Sequence, residues 1–294
     1  MKFQPLSWLG AIILLLCVLE AISGGVLLFH YRANTEQAFI SLQHIMYATK
    51  YLWLWRDFHV FTASAIFIAV YLYVFRDLLQ QRYQAKTLWA VKFGLFGLLM
   101  LEVYLGNCLP WSKLSVWLAF MPLKSAFLLH VIVVPFVLLG LTLVQMKLVV
   151  GFKMHNFPRR CFVLLRFSLF YALVFFIFPN LFYQTLQHHL FNAHEHLQPW
   201  HFIVPWYLAP WYVFKLALGW AGVVIAAVLL LAMMFVRENK LLPEMWWVIA
   251  VLFIGLGGLA YWPDAPYGLM LSSVLVWMGL MVWMIFDKGL GTRA

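Results

Sequence analysis

Residues Trp55–Asp77 read WRDFHVFTASAIFIAVYLYVFRD, an apolar run of helix length with Arg56 near one end, Arg76 near the other, and His59 three residues after the first arginine. Such a run crosses a bilayer, whose hydrocarbon core takes about 20 apolar residues in helical form. The rest of the chain has the same character. Of its 294 residues 65% are hydrophobic, 19% aromatic and only 10% charged, and the mean hydropathy is +0.90. That balance leaves too little polar surface for a water-soluble domain. The net charge of +10 falls in short gaps between apolar runs, without aromatic interleaving, so nucleic acid is not an expected partner. Cys17, Cys108 and Cys161 stand far apart with no CxxC or CxxCH pair, which argues against a covalently attached cofactor, a zinc site and a disulfide framework.

Eight segments are long and apolar enough to span, at about 8–31, 57–75, 88–108, 125–149, 161–179, 208–234, 243–261 and 267–286. The expected fold is therefore all-α and integral to the membrane, with eight transmembrane helices. Lys2, Arg76, Arg82, Lys86, Lys147, Lys153, Arg159, Arg160, Arg237, Lys240, Lys288 and Arg293 fall on one side, against Arg32, Lys50, Arg56, Lys113 and Lys124 on the other. Positive residues stay inside, so both termini are expected to be cytoplasmic. The first run, followed by AISGG, also has the form of a cleaved signal peptide; Glu20 within it and the charge asymmetry favour a retained span. No internal repeat is visible. The connection 180–209 lies on the outer side, carries neither Lys nor Arg and is rich in aromatics, so it is expected to fold back against the membrane surface.

His59 falls in the first turns of the second span, which runs from outside to inside, and His130, in FLLHVIVVPF, falls equally early in the fourth, which runs the same way. Two histidines at one depth on different helices can clamp a haem iron. A lone histidine within a membrane also serves as a hydrogen-bonded packing residue or in a proton path, and on these residues alone all three readings stand. Gly24 and Gly25 in SGGVLLFHY and Gly106 in LGNCLPW remove side chains near the same level. A porphyrin edge needs such gaps, and ordinary helix contacts in membranes use glycine as well.

Five pieces occur in order: EAISGGVLLFHY, RDFHVFTAS, GNCLPWSKLSVW, HVIVVPF and PWYLAPWY. Through them the chain resembles cytochrome b, the membrane subunit of respiratory and photosynthetic quinol oxidoreductases, over most of its length. The resemblance implies an N-terminal haem-binding four-helix bundle over 1–155 and a C-terminal domain over 156–294, with the outer loop 180–209 and four helices. It implies that His59 and His130 ligate a haem near the outer face, that Arg56 lies by a haem propionate, and that Gly24 and Gly106 admit the porphyrin edge.

The second, inner haem of that family does not carry over. Its ligands are expected fourteen or fifteen residues after the first pair, where this chain has Tyr73, Val144 and Gln145; the glycine expected fourteen residues before Gly106 is Lys92, although Gly10 remains. Glutamine is a poor ligand and lysine fills a porphyrin slot, so one non-covalent, bis-histidine haem b is expected, with side chains filling the inner site. The outer quinol site is altered as well. Most of the amphipathic helix pair between spans three and four is missing from the short connection Trp111–Lys124, and the family's Pro-Glu-Trp-Tyr reads Val204, Pro205, Trp206, Tyr207. His188, His189, His194, Glu195, His196 and His201 crowd the outer loop, as a solvated face against a partner or lipid, a proton relay, or a metal site. Glu20 and Glu102 each stand four residues before a haem-packing glycine, in a proton path or a structural hydrogen bond.

With a single outer haem, no relay crosses the inner half of the bilayer. The expected function is a mono-haem subunit in a bacterial inner membrane, passing electrons between the quinone pool and an outer-face iron–sulfur or cytochrome c protein, with a quinone or quinol as a second bound molecule. The alternative is a haem-free anchor or assembly subunit of a larger membrane redox complex. Retention of all five residues of one haem site while the other decays favours the first reading.

Overall fold

A computed structural model describes residues 9–79, 85–150 and 157–177, together with Tyr212, Lys215, 219–225 and 227–228. All regular structure among these residues is helical, as expected. The helices are α1 (Leu9–Leu28), α2 (Ala38–Gln43), α3 (Leu52–Leu79), α4 (Lys86–Cys108), α5 (Lys113–Leu118), α6 (Leu123–Leu128), α7 (Val134–Val150) and α8 (Phe157–Ile177). Wider π turns follow α2 at His44–Ala48 and join α6 to α7 at Leu129–Val133.

Among the described residues, four stretches are apolar and long enough to cross a bilayer: Leu9–Leu28, Leu52–Val74, Lys86–Cys108 and Leu123–Gln145. They coincide with the first four expected spans. In α8 the apolar part is Leu164–Ile177, within the fifth expected span. Of the sixth, 208–234, the described residues are helical. The spans 243–261 and 267–286, the loop 180–209 with its histidines, Pro205, both termini and the expected domain boundary at 155/156 lie outside the described residues.

Helix is the outcome that hydrocarbon imposes, since a backbone N–H or C=O left unpaired there costs several kcal/mol. The same solvent removes the usual reason to bury leucine, because lipid is as apolar as a protein core. Polar side chains and close packing therefore decide how spans meet. The exposed apolar side chains of α1, α7 and α8, among them Val18, Ile22, Val137, Leu139, Leu169 and Phe176, suit lipid.

The chain forms two compact units. In the first, Met1–Tyr73 with Leu101–His196, Leu16, Ile45, Phe67, Leu105 and Leu114 are buried. The Tyr31 hydroxyl donates to the Leu109 carbonyl at 2.6 Å and its ring stacks on Phe127 at 5.7 Å, tying together the ends of α1, α4 and α6. The hydroxyls of Thr62 and Tyr171 pair at 2.7 Å and Phe58 and Phe61 pack on Tyr171 and Phe175, which fastens α3 to α8. Between α4 and α6 there is room for α5 alone, capped by the Ser112 hydroxyl accepting from the Ser115 N–H and held by Tyr104, whose hydroxyl donates to the Leu118 carbonyl.

The π turn of Leu129–Val133 has a local cause. Pro135 has no N–H to give to residue 131, so the ordinary i to i−4 ladder is broken there and the turn widens. His130 sits in that turn.

The second unit comprises Val74–Met100 and Leu197–Ala294. Trp89, Phe93 and Phe96 are buried along one face of α4, with ring centroids 5.4 and 5.8 Å apart in succession. Asp77 is buried between cations: its Oδ1 accepts from Arg76 Nε at 2.9 Å and Nη2 at 2.7 Å, and its Oδ2 accepts from Lys92 Nζ. Lys215 places its ammonium 3.6 Å from the Trp220 ring centroid, a cation–π contact.

Candidate functional site

Each of the two intramembrane histidines is carried by its own helix, His59 by α3 and His130 by the turn between α6 and α7. The structure brings them together. Their ring centroids lie 6.4 Å apart with the planes at 86°. His59 Nδ1 is 3.0 Å from Ser23 Oγ and 3.2 Å from Glu20 Oε1. His130 Nδ1 is 3.0 Å from the Glu102 carbonyl and 3.1 Å from Glu102 Oε1.

These neighbours fix the tautomers. A carbonyl only accepts, so His130 must carry its proton on Nδ1. Ser23 gives its own proton to the Glu20 carbonyl at 3.0 Å, so its oxygen accepts from His59 in the same way. In its neutral form each ring then keeps a lone pair on Nε2, the nitrogen that ligates a metal when the other ring N–H is tied to an acceptor. Neither Nε2 has a hydrogen-bond partner among the described residues.

Both glycines make room for this arrangement, Gly106 more stringently than Gly24. A Cβ at Gly106 would lie 2.8 Å from His130 Cε1, and one at Gly24 would lie 3.1 Å from His59 Cε1. Both α1 and α4 thus approach the histidines with bare backbone. Gly25 and Gly10 meet nothing within 4 Å and have no comparable part.

Arg56, one turn before His59, is 5% exposed, and its guanidinium reaches Met46 Sδ at 3.1 Å in the π turn after α2. A thioether is a weak acceptor for five donors, and no carboxylate oxygen lies within ion-pair distance of Arg56 among the described residues. Buried Asp57 beside it attracts the guanidinium electrostatically without reaching ion-pair distance, so the donors of Arg56 remain suited to an acidic group supplied from outside the chain.

One level further along, the residues are of another kind. Gln145 Nε2 donates to the Tyr73 hydroxyl at 2.6 Å, and both side chains are buried. These are the positions at which the inner pair of ligands was expected, and here they close directly on each other. Among the described residues no group of three or more His, Cys, Asp or Glu is placed to hold a metal ion.

Three side chains, Ser23, Met46 and Asp77, were given no role in the sequence. Ser23 carried a usable signal, since it precedes Gly24 by one residue and small hydroxyls cross-link spans. Met46 lies in no recognisable motif. Asp77 and Arg76 ended the apolar run and read as loop residues, although α3 continues past them.

The family profile described as cytochrome b/b6/petB matches residues 4–197. Among curated proteins, cytochrome b of Caenorhabditis briggsae is 34% identical over 119 residues, 40% of this chain and 32% of the relative. Cytochrome b of Mytilus edulis is 37% identical over 108 residues, 37% of this chain and 27% of the relative. The match thus spans about a third of each curated relative's length. Among solved structures, a hyperthermophilic respiratory Complex III chain shares the fold with a TM-score of 0.77 at 20% identity, over 97% of this chain and 91% of its own. A profile match across most of the described helices, the paired histidines and the glycines against them lead to one conclusion: the chain is a multi-pass membrane protein of the cytochrome b family.

Proposed function

We propose that this chain is a mono-haem electron-transfer subunit, which takes or delivers electrons at the quinone pool and exchanges them with a partner protein on the outer face. The observation that carries the reading is the contrast between its two levels. At one level two imidazoles stand 6.4 Å apart with both Nε2 lone pairs unengaged, a separation that accommodates two metal–imidazole bonds of about 2 Å. At the other, Tyr73 and Gln145 are in contact.

The residues present fit haem b. His59 and His130 would hold it, bare backbone at Gly24 and Gly106 would admit its edge, and Arg56 would meet a propionate. When bound, haem supplies a one-electron carrier. The chain's part is to hold both imidazoles in one tautomer and orientation, through Ser23 and the Glu102 carbonyl, so that no reorganisation of the ligands is needed as charge changes. Held by both His59 and His130, the iron would have no open position for small-ligand chemistry.

In this reading the protein has eight spans with both termini cytoplasmic, divides at about 155 into haem-binding and C-terminal domains, and resides in a bacterial inner membrane. Its partners are the other subunits of a membrane redox complex, with an iron–sulfur or cytochrome c protein at the outer face. The single outer haem leaves no transmembrane relay. Haem content per purified chain, with a reduced-minus-oxidised spectrum, tests this directly: one b-type haem is expected, two would restore a full relay, and none would leave a structural anchor.

The glycine contacts add a graded prediction. Gly106→Ala drives a methyl against His130 at 2.8 Å, whereas Gly24→Ala meets His59 at 3.1 Å, so haem occupancy falls further in the first variant. Equal retention of haem by the two variants would show that neither backbone edge limits the site.

A further inference from the structure

Each histidine at the site has two acceptors on Nδ1, and one of each pair is a neutral group that already suffices. For His59 that group is Ser23 Oγ at 3.0 Å, with Glu20 Oε1 behind it at 3.2 Å. For His130 it is the Glu102 carbonyl at 3.0 Å, with Glu102 Oε1 at 3.1 Å. Ring orientation and tautomer are therefore held without either carboxyl group.

The carboxyl groups are also expensive to keep. Glu20 Oε2 and Glu102 Oε2 are shut off from solvent without a hydrogen-bond partner, inside segments that cross a bilayer, where acidic side chains are costly. Two such groups, on α1 and α4, one on each imidazole, repeat the same arrangement. What a carboxyl adds to a ring already oriented by a neutral acceptor is electron density: accepting the Nδ1 proton in part makes the imidazole a stronger donor to a metal at Nε2.

We infer that Glu20 and Glu102 are positioning residues that act through His59 and His130 to lower the reduction potential of the group those histidines hold. This rests on the haem reading above. Stronger donation by the ligands stabilises the oxidised metal more than the reduced one, so the pair sets the subunit towards the low-potential, strongly reducing end of its range. Glu20→Gln and Glu102→Gln keep the size and a possible acceptor while removing the acid.

The experiment is a redox titration of the purified holoprotein and of both variants, followed through the b-type absorbance, with haem per chain measured on the same samples. Each variant is expected to keep its haem and to shift the oxidised-to-reduced equilibrium towards the reduced form, each tenfold change being a rise of about 59 mV for one electron. Haem retained with an unmoved potential overturns this inference and leaves the haem reading intact. Haem lost from the Gln variants also overturns it, because the carboxyls would then be needed to hold the rings. A wild-type chain without haem overturns the haem reading, and this inference with it.

Discussion

If the proposed single haem is held by both imidazoles, His130→Ala is expected to remove the b-type absorbance and take haem from one per chain to none, and His59→Ala to do the same, while Tyr73→Phe leaves the spectrum and the haem content as they are. The asymmetry follows from what each side chain touches. At His59 and His130 the ring supplies an unengaged Nε2, and no other described His, Cys, Asp or Glu forms a metal-holding group that could substitute. At Tyr73 the hydroxyl is already engaged by Gln145, so its loss costs a hydrogen bond of about 1 kcal/mol and no ligand. Loss of outer-shell partners typically costs 10–100-fold in metal affinity, and loss of a ligand itself exceeds that.

Two readouts separate loss of haem from loss of fold. Free imidazole added to His130→Ala fits the space the ring vacated and restores absorbance if the helices still stand. Bound haem stabilises the native state alone, by about 2.7 kcal/mol at a hundredfold excess over its dissociation constant, so the holoprotein also melts above both alanine variants. Retention of full b-type absorbance by either variant would place the haem elsewhere and remove the proposed function.

Legibility in the sequence was uneven for physical reasons. The first four spans could be read because hydrocarbon forces apolar runs of fixed length into helix, and the edges of α1 and α4 fell within a few residues of expectation. His59, His130, Gly24 and Gly106 could be singled out because such residues are few within spans and recur at one depth. Their partners could not. Glu20 and Glu102 were visible as buried acids, yet their reach to Nδ1 depends on rotamers and on the π turn that carries His130. Arg56 was visible, but Met46, far from any pattern, meets it. Lys92 read only as a residue filling a porphyrin slot, because its counterion Asp77 fell beyond the end of a span placed at about 75; α3 continues to Leu79, and soft boundaries of a few residues are what hid the pair.

Asp77→Asn destabilises the protein by about 3–5 kcal/mol, whereas Lys92→Met is nearly neutral, though both remove one charge from the same contact. Arg76, Asp77 and Lys92 have side chains 9%, 1% and 3% exposed, and together they sum to +1. Removing the carboxylate leaves two buried cations facing a neutral amide, each having lost its ion pair with Asp77. Removing the ammonium leaves Asp77 with the two hydrogen bonds from Arg76 at 2.9 and 2.7 Å, a balanced pair. It also relieves the burial of one cation, worth several kcal/mol, against a lost charge-assisted bond of about 1.5–3 kcal/mol. The double variant Asp77→Asn with Lys92→Met then recovers part of the single loss, since one of the two cations that faced Asp77 is gone and Arg76 lies near the helix end, where a long side chain can reach the interface. Thermal unfolding in detergent measures this, at about 2–4 °C per kcal/mol for a chain of this size. Equal losses in the two single variants would mean that the lysine is held for its charge and not as a filler of the inner level. The haem signal at His59 and His130 is expected to survive in all three, because no atom of that site is shared with the triad.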